Sequence, residues 1–362
     1  MDQSHSASEQ DPGDPSGAPA GDDLLPPVEP PSAGFIIQLF VVPALIVLVI
    51  VSVWFTFTWL VRRTATRPQD LIQGLEQGPS IARWQRASEL ADMLRNERFA
   101  DFKRSPEAAR HLARILEREI DGVEGAGEMD ERDVAFRAFL AKALGEFEVK
   151  EGTDALVKAA QTDRGPAERL MRYYAIDAIA VRAFNLLRLE PPQELAHPDL
   201  VPTLSRLAGD EDPLIRRRTA YALDKLGTPA AIERLEPMVD DPDPDTRYNA
   251  AVGLAHHGNA RGVETLAEML DVEELASVEN ETIEQDRVFK RAVIVSNALQ
   301  AVEALARQNP GADFSLVADA LERLAAADAD ALAKVYIPSR AVSDARRVLE
   351  ALPANGVESG AL

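Results

Sequence analysis

The feature that most constrains this chain is a segment of 31 residues that occurs twice in succession, as residues 210–240 and 241–271. When the two copies are aligned, 11 of the 31 positions are identical. Unrelated segments of this composition share only about two or three positions. A repeat of this length is typical of a supersecondary unit that cannot bury its apolar face alone and is stabilised by stacking on its neighbours.

The identical positions predict two short helices and a tight turn in each copy. The third and fourth residues of each copy are aspartate and proline, a good N-cap followed by a residue suited to the first helical turn. An arginine in the next turn is expected to reach back towards the aspartates. A glycine closes the first helix, where a left-handed backbone is needed. The predicted structural repeat positions are Asp212, Pro213, Arg216 and Gly227 in the first copy and Asp243, Pro244, Arg247 and Gly258 in the second.

The stretches DPLIRRRTAYALDKLG and DPDTRYNAAVGLAHHG carry these positions and resemble HEAT repeats, of the short bacterial kind also found in phycobilisome-lyase-like proteins. The resemblance implies a stacked α-solenoid, which typically serves as a protein-binding scaffold. It does not imply lyase activity, because the shared residues concern helix packing rather than catalysis.

Helix pairs with a similar rhythm flank the two copies, so that about six units fill residues 81–353. No stretch shows the period-2 alternation of a strand. We therefore predict an all-α fold, an α-solenoid of HEAT-like helical hairpins. The flanking pairs are residues 82–94 with 105–120, 133–147 with 152–161, 166–187 with 198–210, and 287–308 with 314–327, followed by a last helix at 338–352.

Residues 35–61 predict a transmembrane helix. The sequence FIIQLFVVPALIVLVIVSVWFTFTWL contains 26 residues without a charge, and about 20 apolar residues are enough to cross the hydrocarbon core. A cleaved signal peptide is the alternative, but it needs a basic leader and a shorter apolar segment. Here an acidic tail precedes the apolar stretch and Arg62 and Arg63 follow it.

The charges beside the apolar stretch predict its orientation. Lys and Arg are absent from residues 1–34, whereas Arg62, Arg63 and Arg67 follow the stretch. The positive-inside bias then places the N-terminus outside and the solenoid in the cytoplasm, on a single-pass protein of the bacterial inner membrane. Trp54 and Trp59 are expected at the membrane interface, which indole rings prefer, together with Arg62 and Arg63.

The segments outside the span and the solenoid have the composition of tails and linkers. Residues 1–34 hold seven acidic residues, much Pro, Gly and Ser, and little to bury, so we predict a disordered tail. Residues 62–80 are predicted to be a juxtamembrane linker with one short helix, and residues 354–362 a disordered C-terminus.

Composition and motifs argue against several kinds of site. The chain has no cysteine and a net charge of −21, which disfavours a thiolate metal site and binding to nucleic acid. His256 and His257 point about 100° apart on a helix, so a shared metal is not expected. Tyr173 and Tyr174 fit a helix that packs one ring and exposes the other. We expect no cofactor, no metal and no small-molecule substrate.

Two functions remain. The first is a membrane-anchored HEAT-repeat scaffold, without enzymatic activity, that binds a protein partner at the membrane surface. The alternative is an enzyme or enzyme subunit of the phycobilisome-lyase-like type, which needs a pocket with convergent polar groups. The sequence indicates a long helical surface rather than such a pocket, and therefore favours the scaffold.

Overall fold

A computed structural model describes most of the chain, which divides into two compact units, residues 1–65 and residues 66–362. The described backbone covers residues 32–63, 67–76, 79–123 and 130–353, without the side chains of residues 36, 57–63 and 80. The predictions of a disordered tail at residues 1–34 and a disordered C-terminus at 354–362 therefore lie outside the described residues, except that α1 already begins at Ala33. Every regular element in the described ranges is helical.

The first unit contains helix α1, Ala33–Arg63, which includes the predicted span. Its stretch Ala33–Thr56 has a mean hydropathy of 3.0, and none of it is buried. Pro43 lies inside the helix. By length and composition, α1 is able to cross a membrane.

The second unit is built from two layers of helices. Six helices form the first-helix layer, in which each packs on the next: α3 (Ser80–Leu94), α6 (Glu131–Gly145), α8 (Arg169–Leu187), α10 (Pro213–Leu226), α12 (Pro244–His256) and α14 (Glu284–Gln308). Six others form the second-helix layer: α5 (Pro106–Asp121), α7 (Thr153–Gln161), α9 (Leu200–Leu207), α11 (Pro229–Leu235), α13 (Val263–Leu270) and α15 (Ser315–Ala326). This alternation of layers is the arrangement that the repeated segment predicts.

Short helices complete the second unit. Helices α4 (Ala100–Lys103) and α16 (Ala329–Lys334) lie in connections, and α17 (Arg340–Ala351) packs on α14 and α15. Helix α2 (Pro68–Leu75) falls within the segment that sequence assigned to a linker. It buries Leu71, Ile72 and Leu75 and packs against α3, so the helical body begins at α2 rather than at residue 81.

The helix ends at the repeated positions use the expected backbone chemistry. The Asp212 carboxylate accepts a hydrogen bond from the Leu214 amide at 2.9 Å, and the Asp243 carboxylate accepts one from the Thr246 amide at 2.9 Å. Pro213 and Pro244 are the first residues of α10 and α12. Gly227 and Gly258 have φ angles of 60° and 71°, a region that favours glycine.

Alanine and leucine dominate the interface between the layers, and small residues let neighbouring helices approach closely. The tightest approach is at Gly145, where a Cβ atom would lie 2.6 Å from the Cα of Ala178 on α8. Because backbone atoms form this contact, a side chain at residue 145 has to push α6 and α8 apart.

We expect Gly145→Ala to lower the free energy of unfolding by about 1–3 kcal/mol, the usual cost of overpacking a close contact. Gly209→Ala is the matched control, because its Cβ atom would meet nothing closer than 3.7 Å. Urea unfolding of the full chain in detergent, followed by circular dichroism, measures both. Equal stability of the two variants would contradict the tight α6–α8 contact.

Candidate protein-binding surface

An arginine at the same position of successive first-layer helices joins each repeat to its surroundings. Arg216 of α10 donates two hydrogen bonds to the Asp241 carboxylate, at 2.8 and 2.9 Å, and one to the Asp210 carbonyl. Burial by itself would raise the pKa of Asp241, but the hydrogen bonds from Arg216 and the Asp243 amide, together with the charges of Arg216 and Arg247, lower that pKa. Arg247 of α12 bonds the Asp241 carbonyl in the same way and pairs with Glu268. Each repeat arginine therefore links the turn before its own helix to an acidic residue that follows the helix.

The same position holds arginine in four more helices, which the sequence analysis did not single out. Arg172 of α8 contacts the Asp210 carboxylate at 3.0 Å, and Arg291 of α14 donates to the Met269 carbonyl at 3.0 Å. The other two are Arg83 of α3 and Arg137 of α6. Because these arginines occupy the same position, the first-layer helices stack in one register. Equivalent residues of neighbouring helices therefore lie side by side on the outer face of the first-helix layer.

Half-buried aromatic side chains use that register to form a row across α3, α6, α8 and α10. The rings of Trp84 and Phe139 meet edge to face at 6.1 Å, and Phe139 stacks on Tyr174 at 5.8 Å. Tyr174 contacts Tyr173 at 5.4 Å. Both tyrosines are half-buried, which differs from the expected split into one buried and one exposed ring. We call these residues, with Tyr221 of α10, the aromatic row.

Cationic side chains lie on the rings of the aromatic row. The Arg218 guanidinium is 4.6 Å from the centroid of Tyr173, and its Nη1 is 2.9 Å from the Asp177 carboxylate. Lys225 lies 5.2 Å from the Tyr221 ring and Lys142 lies 5.6 Å from the Phe139 ring. The ring faces thus already attract positive charge within the molecule.

An apolar groove continues the same layer between α12 and α14. Its volume is about 280 Å³, and Tyr248, Val252, Phe289 and Val293 contribute to its lining. Phe289 is 73% exposed, which is unusual for so large an apolar side chain. Exposed apolar side chains that cluster in this way mark surfaces where other molecules bind.

Part of the chain that forms these helix pairs matches a known protein family. Residues 166–243 match the family model of HEAT repeats. The match runs from the turn before α8 to Asp243 and includes Asp212, Pro213, Arg216 and Gly227, so the resemblance is confirmed there. No curated protein matches the sequence.

Among solved structures, human deoxyhypusine hydroxylase in complex with glycerol is similar at 17% sequence identity. The similarity covers 78% of this chain and 96% of that chain, with a TM-score of 0.27.

A buried carboxylate links two successive helix pairs beside the surface. Asp224 of α10 lies 3.0 Å from Nδ1 of His256 and 3.4 Å from Nε2 of His257, and Lys225 Nζ is 2.7 Å away. Burial alone would raise the pKa of Asp224, but the histidine hydrogen bonds hold that pKa well below its usual range. The hydrogen bond with the Asp224 side chain raises the pKa of His257.

The two histidines converge because α12 ends at His256, so helical geometry no longer fixes the direction of His257. The residue has φ −107° and ψ 16°, and its ring packs where a Gly227 side chain would lie. The described residues contain no cluster of three or more His, Asp or Glu arranged to hold a metal ion.

We expect His257→Gln to lower stability by about 1–3 kcal/mol at pH 6, the worth of a hydrogen bond to a charged group. Because folding raises the pKa of His257, its contribution is fully present below about pH 6.5 and is lost as the pH rises through the folded-state value. The variant should therefore approach the wild type towards pH 9. Thermal unfolding between pH 6 and 9 measures this, with His197→Gln as control because its partner Asp154 is exposed. A stability difference that does not depend on pH would contradict it.

A charged cavity in the second unit has a volume of about 810 Å³. Charged side chains contribute most of its polar lining, and several already pair, such as Arg104 with Glu148 at 2.8 Å. No Ser, Thr, His or Tyr lines it.

The residues expected at the membrane interface lie on α1. Trp54 is 62% exposed, as a side chain facing lipid would be. Trp59, Arg62 and Arg63 belong to the last turns of the helix, which ends at Arg63, and their side chains lie outside the described residues. Their place at an interface stays a prediction.

Proposed function

We propose that this protein is a HEAT-repeat scaffold, anchored in the bacterial inner membrane by α1, that binds a protein partner through its first-helix layer. The observation that carries the proposal is the aromatic row, whose half-buried rings cross four successive helices. Large aromatic side chains are enriched where proteins bind one another, because they bury much area at a low cost in conformational entropy. The apolar groove between α12 and α14 extends that surface.

The proposed scaffold has no enzymatic activity of its own. Its helices present side chains in rows rather than around an enclosed cavity, and rows suit the recognition of an extended or helical segment. Arg62, Arg63 and Arg67 favour an orientation with the HEAT repeats in the cytoplasm. The partner would then be a cytoplasmic protein or the cytoplasmic part of a membrane protein.

Site-specific photocrosslinking in the native membrane tests the proposal. A photoreactive amino acid replaces Gln85, which is exposed on α3 beside the aromatic row. The control replaces Arg114, which is exposed on α5 in the second-helix layer of the same repeat. We expect a discrete crosslinked protein from residue 85 alone, identified by mass spectrometry.

Equal crosslinking from residues 85 and 114, or none from residue 85, would argue against the first-helix layer as the binding surface. Titration of the purified full-length protein with a linear tetrapyrrole distinguishes the scaffold from the lyase-like enzyme. Stoichiometric binding or ligation of the tetrapyrrole would favour that alternative over a scaffold.

A further inference from the structure

We propose that the apolar groove between α12 and α14 binds a second copy of this chain, with Phe289 of each copy entering the groove of the other. The proposed function assigns a partner to the aromatic row, and this inference adds self-association through another part of the first-helix layer. It rests on the proposed function only where it uses the anchoring of α1 in the membrane. Its evidence is a cluster of exposed apolar side chains beside a groove whose charges are already paired.

Exposed apolar side chains of the second unit concentrate just before α14 and in its first turns. Among the described residues of that unit, ten large apolar side chains are exposed, and five of them lie within residues 275–293. Phe289 is the most exposed of the ten, at 73%, and Val293 follows one turn later. A solvated helix normally turns charged residues outwards, so a cluster of this kind marks a surface that another protein covers. The five residues are Leu275, Ile283, Val288, Phe289 and Val293.

The outward face of α14 stays uncharged beyond this cluster. Four exposed residues at spacings of four, four and three share that face, namely Phe289, Val293, Asn297 and Gln300. Residues 292–302 contain no Asp, Glu, Lys or Arg, and residues 248–255 of α12, on the other side of the groove, contain none either. Charged residues are depleted from the cores of protein interfaces, and the two helices beside the groove have that composition.

The groove and the projecting ring form a self-complementary pair. Val252, Met269 and Val293 contribute to the lining of the groove, whose volume is about 280 Å³. A cavity of about 150 Å³ already accepts a benzene ring, so the groove has room for a phenyl side chain. Phe289 also borders the groove, which places the projecting ring and its receptor side by side on one molecule. A two-fold dimer needs such a patch, because each copy must offer both halves of the contact.

Charge favours a second copy as the occupant of this groove. The charged side chains that line it are Arg217, Asp245 and Lys290. Asp245 pairs with Arg217 at 2.8 Å and with Lys290 at 3.0 Å, and Lys290 also pairs with Glu281 at 3.2 Å. Two such faces meet without like-charge repulsion, whereas the chain as a whole has a net charge of −21 and repels its own copies.

Anchoring by α1 lowers the affinity that such a dimer needs. Two chains in one bilayer are confined to a thin layer, which raises their effective concentration. They also share one orientation across the membrane, and a two-fold axis along the membrane normal preserves that orientation. The dimer would carry two aromatic rows, so that a partner with two binding segments would be held at both.

Energy transfer between labelled copies measures the dimer. The chain has no cysteine, so Glu322→Cys, at an exposed position of α15 in the second-helix layer, accepts a single donor or acceptor dye. Full-length chains that carry one dye each are mixed in vesicles of neutral lipid at increasing protein-to-lipid ratios. We expect energy transfer that saturates and exceeds the transfer of randomly mixed chains. High salt should maintain or raise it, because salt screens the repulsion between negative chains.

Variants locate the interface. We expect Phe289→Glu to weaken the dimer at least about 100-fold, because it removes two rings per dimer and each interface anchor contributes about ten-fold or more. Leu316→Glu is the matched control, since Leu316 is 52% exposed on α15 and the charge change is the same. Both parent side chains are exposed, so the circular dichroism spectra of the two variants should agree. Asn297→Cys should form a covalent dimer with a short bifunctional maleimide, and Glu322→Cys should not.

Three results would overturn the inference. The first is energy transfer no greater than that of random mixing, and the second is a fall of the transfer in high salt, which indicates an ionic contact. The third is equal transfer in the Phe289→Glu and Leu316→Glu chains, which places the contact elsewhere, as between two α1 helices. The photocrosslink from residue 85 tests the proposed function separately, so loss of the dimer with that crosslink intact removes this inference alone.

Discussion

Replacing Arg182 with methionine is expected to lower the free energy of unfolding by about 2–5 kcal/mol. The side chain of Arg182 on α8 is fully buried. It donates to the Glu151 carbonyl at 2.9 Å and to the Leu144 carbonyl at the end of α6. Methionine has a similar length but no donor, so both carbonyls lose the hydrogen bonds that Arg182 gives them in the interior.

Burial lowers the pKa of Arg182 to about 9, which still leaves the guanidinium protonated at neutral pH. The buried charge is therefore held by backbone carbonyls and by the Thr153 hydroxyl, at 3.3 Å, rather than by a carboxylate in hydrogen-bond contact. This arrangement makes the side chain a cap for α6 and a link between α6, α7 and α8.

Denaturant unfolding of the full chain in detergent measures the change. Arg206→Met is the matched control, because Arg206 is exposed on α9, and a surface substitution of this kind usually changes stability by less than about 0.5 kcal/mol. If Arg182→Met unfolds at the same denaturant concentration as Arg206→Met, the buried hydrogen bonds do not stabilise the repeats.

Removing residues 1–65 is expected to move the protein from the membrane to the soluble fraction. The removed unit contains α1, whose stretch Ala33–Thr56 has a mean hydropathy of 3.0. Insertion of such a helix is effectively irreversible, whereas surface charge alone binds weakly and is screened by salt. The wild type should stay in the membrane pellet after washing with high salt and alkaline carbonate, and the truncated chain should not.

Deletion of residues 1–31 is the control, because it removes the acidic tail and keeps α1. That shorter chain should remain in the pellet. Retention of the chain that lacks residues 1–65 after both washes would mean that the second unit binds the membrane itself. For orientation, protease added outside intact cells should leave the second unit whole, and its digestion would reverse the predicted topology.

The repeated segment made much of the fold predictable. Residues that are identical in two adjacent copies are the ones that the fold needs, and the remaining residues are free to vary. Asp212, Gly227 and their counterparts lie at helix ends, where only a few residue types satisfy the backbone. The arginines of the other repeats were missed since, without an identical copy, one arginine before a small residue is too common to stand out. One short helix was predicted in the linker, but not its packing against α3, because three large apolar side chains in eight residues do not establish a packed helix.

The candidate surface was far less predictable. Its aromatic residues come from four helices, and only the stacking register brings Trp84, Phe139 and Tyr174 together. Sequence reasoning treated Tyr173 and Tyr174 as one isolated helix turn. It also treated His256 and His257 as continuous helix, although α12 ends between them and both reach Asp224.

The bond between Arg216 and Asp241 makes this architecture extensible. Asp241 occupies in its own copy the place that Asp210 occupies in the previous one, and both are aspartate. A further copy of residues 210–240, inserted after Asp240, would thus begin with an aspartate that can accept the hydrogen bonds of Arg216. The arginine of the inserted copy would in turn bond Asp241. Gene duplication can lengthen the protein in steps of 31 residues without any new type of contact, and each step enlarges the area available for docking.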